Sequence, residues 1–164
     1  MHAYYGEREG AGREANAMSS AITAAALTYV EPGLSMVFGH GRLGLALASA
    51  LSDTPYHILT PSIEIIRCLS ARRHIRLTLP GGTLFHDRGI IVSRYDDPIL
   101  RHFVASRAFV SAEGLSADGV LLSDPVVVQA TRHLLDRTMD IVVLADSRTF
   151  RVSATLSACP LSRI

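Results

Sequence analysis

The stretch Ser35-Met-Val-Phe-Gly-His-Gly-Arg-Leu-Gly-Leu-Ala-Leu-Ala-Ser-Ala-Leu51 decides how the rest of the chain is read. Met36 to Phe38 is a short apolar run that stops at Gly39-His40-Gly41. From Leu43 the apolar residues Leu43, Leu47, Ala50 and Leu51 recur at helical spacing. The pattern predicts a buried strand, a tight glycine turn and the start of a helix. Such a turn faces unpaired backbone N–H groups and the positive end of a helix dipole toward the loop, which favours an anion. Arg42 adds a fixed positive charge at the same place. The plainer alternative is that the glycines only make a tight turn.

Outward from this stretch, the strand and helix patterns alternate. A helix is expected from Asn16 or Ser19 to about Tyr29, closed by Glu31-Pro32-Gly33. Tyr56 to Leu59 reads as a second strand, broken by Thr60-Pro61-Ser62, with Ser62 as cap of a helix over Ile63 to Ser70. Ile75 to Leu79 reads as a third strand, closing on Pro80-Gly81-Gly82. Gly89-Ile-Ile-Val92 is expected as a strand or arm outside the parallel order. Asp97-Pro98 opens a helix through about Ala105 that turns Leu100, Phe103 and Val104 inward. Ala108 to Val110 is a strand ending at Ser111-Ala112-Glu113-Gly114, followed by a loop holding Asp118-Gly119. Ser123-Asp124-Pro125 is a strong helix start, and the helix is expected to reach about Thr138. Ile141 to Leu144 is a strand ending in Ala145-Asp146-Ser147, and the tail holds one further short strand.

This alternation indicates an α/β, Rossmann-like three-layer domain with a mostly parallel sheet. Ligands collect at the carboxyl ends of such strands. Gly39, His40, Gly41 and Arg42 therefore share an edge with Thr60 and Ser62, and with Gly81 and Gly82. Residues 1–15 read as a linker or N-terminal arm and 16–164 as one domain.

Composition narrows the classes. The chain has 164 residues, 48% hydrophobic and 19% charged, enough for one real core. A formal net charge of +1 supplies no electrostatic footprint for nucleic acid. No apolar run approaches the roughly 20 residues needed to span a bilayer, and the first residues lack the order of a signal peptide. All 16 basic residues are arginine, which excludes Schiff-base and lysine-base chemistry. Any cationic contact to phosphate must then come from arginine, histidine or backbone. Cys68 and Cys159 sit in no metal-ligand spacing and are expected as free thiols; His57, His74, His86, His102 and His133 show no metal pairing either. No metal and no cofactor is expected.

The segments Gly39-His-Gly-Arg-Leu43, Leu59-Thr-Pro-Ser62, Leu79-Pro-Gly-Gly82, Arg107-Ala-Phe-Val-Ser-Ala-Glu-Gly114, Leu122-Ser-Asp124 and Val143-Leu-Ala-Asp-Ser-Arg-Thr-Phe150 together resemble the effector-sensing C-terminal domain of DeoR-type bacterial transcription regulators. The resemblance covers about Ala17 to Ile164. It implies a fold similar to ribose-5-phosphate isomerase and glucosamine-6-phosphate deaminase. It also implies a cytoplasmic, self-associating repressor domain, not an enzyme, that senses a phosphorylated sugar. DNA would be read only by a winged helix-turn-helix, which the thirteen or so residues ahead of the first helix are too few to form.

The departures from that family are specific. Its loop usually reads Asp-Ser/Ala-Gly-Thr-Thr, where this chain has Gly39, His40, Gly41, Arg42 and Leu43. Thr-Asn-Ser becomes Thr60-Pro61-Ser62, and Leu-Gly-Gly becomes Leu79-Pro80-Gly81-Gly82. A glutamate-rich stretch and a later lysine are replaced by Val126-Val127-Val128 and Thr131. Ser-Lys-Phe becomes Arg148-Thr149-Phe150. Arg42 and Arg148 are the candidate stand-ins for the lost threonines and lysines. Glu113 is either a contact to a sugar hydroxyl or a surface carboxylate, and His40 either an anion donor or solvent-facing. Asp124 reads as a helix cap, and Asp146 as the cap of its turn with a ligand role as the alternative. The competing readings are an oligomerisation module with a vestigial pocket and a phosphosugar isomerase or deaminase; no catalytic residue is assigned. Self-association is expected through the Gly89-Ile-Ile-Val92 arm, taken as an exposed apolar strand.

Overall fold

The computed structural model describes residues 16–93, 97–152 and 154–164. The expected arm over residues 1–15 lies outside these. Helix α1 covers residues 16–27. The chain then alternates β1 (Ser35–Phe38), α2 (Arg42–Ser49), β2 (Tyr56–Leu59), α3 (Ile63–Leu69) and β3 (Ile75–Thr78). A hairpin of β4 (Thr83–Phe85) and β5 (Ile90–Val92) follows, then α4 (Pro98–His102) and β6 (Ala105–Ser111). The remainder is β7 (Gly114–Ser116), β8 (Gly119–Leu122), α5 (Pro125–Leu135), β9 (Thr138–Leu144) and β10 (Leu156–Cys159).

Five strands form one sheet in the order β3-β2-β1-β6-β9, and every pairing in it is parallel. Side chains on a strand alternate between faces, and the core divides accordingly. Met36 and Phe38 point to one side with Ile58 and Phe109, packed against α1, α2 and α3. Val37 points to the other with Leu59, Ala108, Val110 and Ile141, packed against α5 and the smaller sheet β10-β8-β7. The expected three-layer α/β architecture is therefore present.

The chain runs from β1 outward to β3 and then returns to the far side of β1 as β6. The order reverses between β1 and β6, and a crevice opens outside the carboxyl ends of the strands at such a point. Gly39–Arg42 follows β1 and Ala112–Glu113 follows β6, so both border this crevice.

Several expectations are corrected. The Gly89–Val92 segment is no exposed arm: Ile90 and Val92 are buried, and β5 pairs antiparallel with β4. The Ile63 and Ile91 amides donate to Gly89 and Pro61 carbonyls, which ties β5 to the β2–α3 loop. Its apolar side chains thus complete this chain's core. Helix α4 ends at His102, and Val104 is 58% exposed instead of inward-facing. Leu100, Phe103 and Val104 mimic helical spacing, but from Ala105 the backbone pairs with β9 and β1. Helix α5 stops at Leu135, because Thr138 already pairs with Ala105. The Asp118-Gly119 loop is instead the turn of the hairpin β7–β8, with Ser116 opposite Gly119.

Candidate functional site

A cleft of about 440 Å³ lies beside this reversal point, at the loops that follow β1 and β2. The β1–α2 loop contributes His40 and Gly41. The β2–α3 junction and α3 contribute Ser62, Ile63, Glu64 and Arg67. The β4–β5 hairpin covers it with Leu84 and the tip His86–Gly89. Each wall follows from local sequence chemistry. Gly41 begins α2 at φ +109, a conformation that favours glycine, and a Cβ there would press on the Ser111 side chain at 3.2 Å. Ser62 caps α3, accepting from the Ile65 amide at 3.5 Å. The hairpin stands where it does because its β5 backbone is bonded to residues 61–63.

Charge concentrates here. His40 is part-buried, and burial pushes its imidazole below the ordinary value of 6.5, while the Glu113 and Asp124 carboxylates pull it back up. Glu113 accepts from the Ser123 amide at 3.0 Å, which anchors it over the start of α5. Asp124 caps α5 through Oδ1, taking the Val126 and Val127 amides at 2.8 and 3.4 Å. Its Oδ2 accepts from Arg88 Nε. Burial raises the Asp124 pKa, but the Arg88 and backbone hydrogen bonds outweigh it and leave the carboxyl below the usual carboxylate value. At the end of β6, the Ser111 hydroxyl is buried against Gly41 with no hydrogen-bond partner among the described residues.

Of the residues singled out from sequence, His40, Gly41 and Ser62 line this cleft, and Glu113 lies close enough to act on His40. Gly39 is buried and donates to the Phe109 carbonyl at 2.8 Å. Arg42 is exposed on the first turn of α2, outside the lining. Thr60 is fully buried and turns the backbone by accepting from the Ser62 amide. The Gly81 amide donates to Asp97 at 2.7 Å, and a Cβ on Gly82, at φ +133, would strike the Val92 carbonyl. Those two glycines hold the hairpin and do not line the cleft. Asp146 receives the Arg148 amide, Nε and Nη2 at 2.8, 3.1 and 2.6 Å, so the pair is engaged with itself across one turn. Sequence reasoning missed Arg67, His86, Arg88 and Ser111. Their grouping comes from the hairpin crossing over α3, which no local pattern announces. Both cysteines are free, Cys159 buried and Cys68 part-buried. No helix among the described residues is long and apolar enough to cross a membrane.

Comparison with known proteins places this geometry. Among solved structures, ribose 5-phosphate isomerase A from Methanocaldococcus jannaschii has a TM-score of 0.59 at 14% identity, over 82% of this chain and 54% of that one. The eIF2B β2–δ2 complex of C. thermophilum gives 0.58 at 16%, over 84% and 44%. At such identities the likeness is one of fold. By sequence, the chain is 28% identical to the HTH-type transcriptional regulator IolR of Bacillus subtilis (strain 168), over 65% of this chain and 43% of that protein. It is 26% identical to the HTH-type transcriptional regulator UlaR of Shigella dysenteriae serotype 1 (strain Sd197), over 77% and 50%. The chain thus spans about half the length of the curated relatives it matches, and these are regulators, not enzymes. The family model of the DeoR C-terminal sensor domain matches residues 16–164, and the chain belongs to that family.

Proposed function

We propose that this chain senses a phosphorylated sugar or similar small anionic metabolite, bound in the cleft between the β1–α2 loop, α3 and the β4–β5 hairpin. The observation that carries the reading is the chemistry of the cleft at the carboxyl ends of β1 and β2. It holds two arginines, two histidines and a serine, with Glu64 and Asp87 as the only carboxylates in its lining, beside a buried Ser111 hydroxyl with no partner among the described residues. His40, Gly41 and Ser62 meet the ligand; Glu113, anchored by the Ser123 amide, faces a ligand hydroxyl. One structural neighbour, a D-ribose-5-phosphate isomerase, was solved with phospho-erythronic acid, a ligand of the same charge class, at a TM-score of 0.58 and 12% identity. In the whole regulator, DNA is contacted by a separate helix-turn-helix segment, and the protein works in the cytoplasm.

A thermal-shift screen of phosphorylated sugars and sugar acids at millimolar concentration tests this. A ligand at a hundred times its Kd stabilises by about 2.7 kcal/mol, a shift of several degrees for a domain this size. If no phosphorylated sugar or acid raises the melting temperature, the cleft is not an effector site.

A further inference from the structure

The positive charge in the cleft comes from two elements outside the glycine loop. Arg67 projects from the last turn of α3, exposed, and its guanidinium has no hydrogen-bond or ion-pair partner among the described residues. Arg88 projects from the hairpin tip, where its Nε donates to Asp124 and its Nη1 lies 3.8 Å from Asp87. Five other arginines are committed to the fold. Arg72, Arg107, Arg132 and Arg163 donate to backbone carbonyls, and Arg148 is held by Asp146. In a chain without lysine, Arg67 and Arg88 are the two cations that line this cleft.

Asp124 divides its oxygens between tasks. Oδ1 caps α5, and Oδ2 alone holds Arg88. An incoming anion therefore takes Arg88 without uncapping the helix. A monocarboxylate offers one charge and two oxygens, enough for a single guanidinium fork. A phosphate monoester offers up to two charges and three terminal oxygens, which suits two forks together.

We propose that Arg67 and Arg88 grip the phosphate of a phosphate monoester from the α3 and hairpin walls of the cleft, Arg88 exchanging Asp124 for the ligand. This rests on reading the cleft as the effector site. Binding then also releases the tie between the hairpin and the start of α5.

The test follows inorganic phosphate binding by ³¹P NMR titration. It compares the unmodified protein with Arg67→Met, Arg88→Met, Arg42→Met, Asp124→Asn and the Asp124→Asn/Arg88→Met double variant. Arg137→Met, ahead of β9 at the opposite end of the strands, is the charge control, and urea unfolding confirms that each variant folds. Arg67→Met and Arg88→Met are expected to weaken binding about ten- to a hundredfold, the loss of one charge-assisted contact each. Asp124→Asn keeps the cap and should tighten binding severalfold, and that gain should vanish when Arg88 is also removed. Retention of affinity in both arginine variants overturns the grip while leaving the effector site intact. Loss confined to Arg42→Met moves the anion to the α2 loop and also overturns it. An unchanged Asp124→Asn overturns the exchange. If phosphate fails to bind while sugar phosphates stabilise the protein, the phosphate grip is wrong; if both fail, both readings fall.

Discussion

Asp124 holds Arg88 with one carboxylate oxygen and caps α5 with the other, so a single side chain joins the hairpin that covers the cleft to the helix beneath it. Replacing a capping Asp by Ala costs about 0.5–2 kcal/mol, whereas Asn caps about as well as Asp. An ion pair between partly exposed groups contributes about 0–1 kcal/mol. Asp124→Ala should therefore lower the unfolding free energy measured in urea by about 1–2 kcal/mol. Asp124→Asn should lower it by less than half as much. Equal losses would mean that the pair with Arg88 outweighs the cap.

Acid should unfold the protein partly through the same residue. Asp124 and Asp146 both titrate below the usual carboxylate value. For Asp124, burial opposes the shift and the Arg88 and backbone hydrogen bonds win; for Asp146, the Arg148 hydrogen bond leads. A folded pKa below the unfolded one means the unfolded chain takes up protons first. Stability is then complete well above the ordinary 3.8 and is lost as pH falls through it toward the lower folded values. Urea midpoints recorded down this range should fall less steeply for Asp124→Asn than for the unmodified protein. Parallel curves would remove Asp124 from the acid transition.

The sheet was legible in sequence because its cues are local. Met36–Phe38, Tyr56–Leu59 and Ile75–Leu79 are short apolar-containing stretches bounded by turn residues, and each holds a parallel strand. Ser62, Asp97 and Asp124 cap the helices that their positions implied. The hairpin β7–β8 was missed because each of its short strands, Gly-Leu-Ser and Gly-Val-Leu-Leu, opens on a glycine and reads as part of a loop. Its turn, Ala117-Asp118, also sits one residue before the Asp118-Gly119 pair that draws the eye. The cleft's lining was legible only where a loop declares itself, at His40–Gly41 and Ser62. Arg67 and Arg88 are neighbours solely because β5 bonds to the β2–α3 loop, a pairing across almost thirty residues. Arg42 and Arg148 were singled out by position in a motif. Their surroundings, open solvent and Asp146, depend on where neighbouring side chains fall.

His40 should couple anion binding to pH. Burial holds its imidazole below 6.5, with Glu113 and Asp124 opposing. In the free protein the neutral ring is therefore favoured; its contribution to stability is full above about 6.5 and is lost as pH falls below that value. A bound dianion reverses the bias, because it favours the protonated ring. Sulfate keeps both charges throughout this range, so it separates the protein's titration from the ligand's. Sulfate affinity by calorimetry should rise as pH is lowered below 6.5. The rise should flatten in His40→Gln, which distinguishes His40 from His86 across the same cleft. Affinity that does not change with pH would show that His40 stays neutral beside the ligand.

The Ser111 hydroxyl gives the most direct separation of stability from function. It is buried beside Gly41 without a hydrogen-bond partner among the described residues, and leaving such a group unsatisfied costs about 1–3 kcal/mol. Ser111→Ala removes that cost and leaves a gap of a single oxygen next to a backbone that has no side chain. The unliganded variant should therefore be more stable than the natural chain, by about 1 kcal/mol in urea. A group held against stability behind a cleft-lining residue is expected where a ligand supplies the missing partner. The same variant should then bind a sugar phosphate from the screen about five- to tenfold more weakly, the loss of one neutral hydrogen bond. Higher stability with undiminished binding would make Ser111 a simple packing defect. Lower stability would mean that the hydroxyl is satisfied in the free protein, by water or by a rotated side chain, and that it does not wait for a ligand.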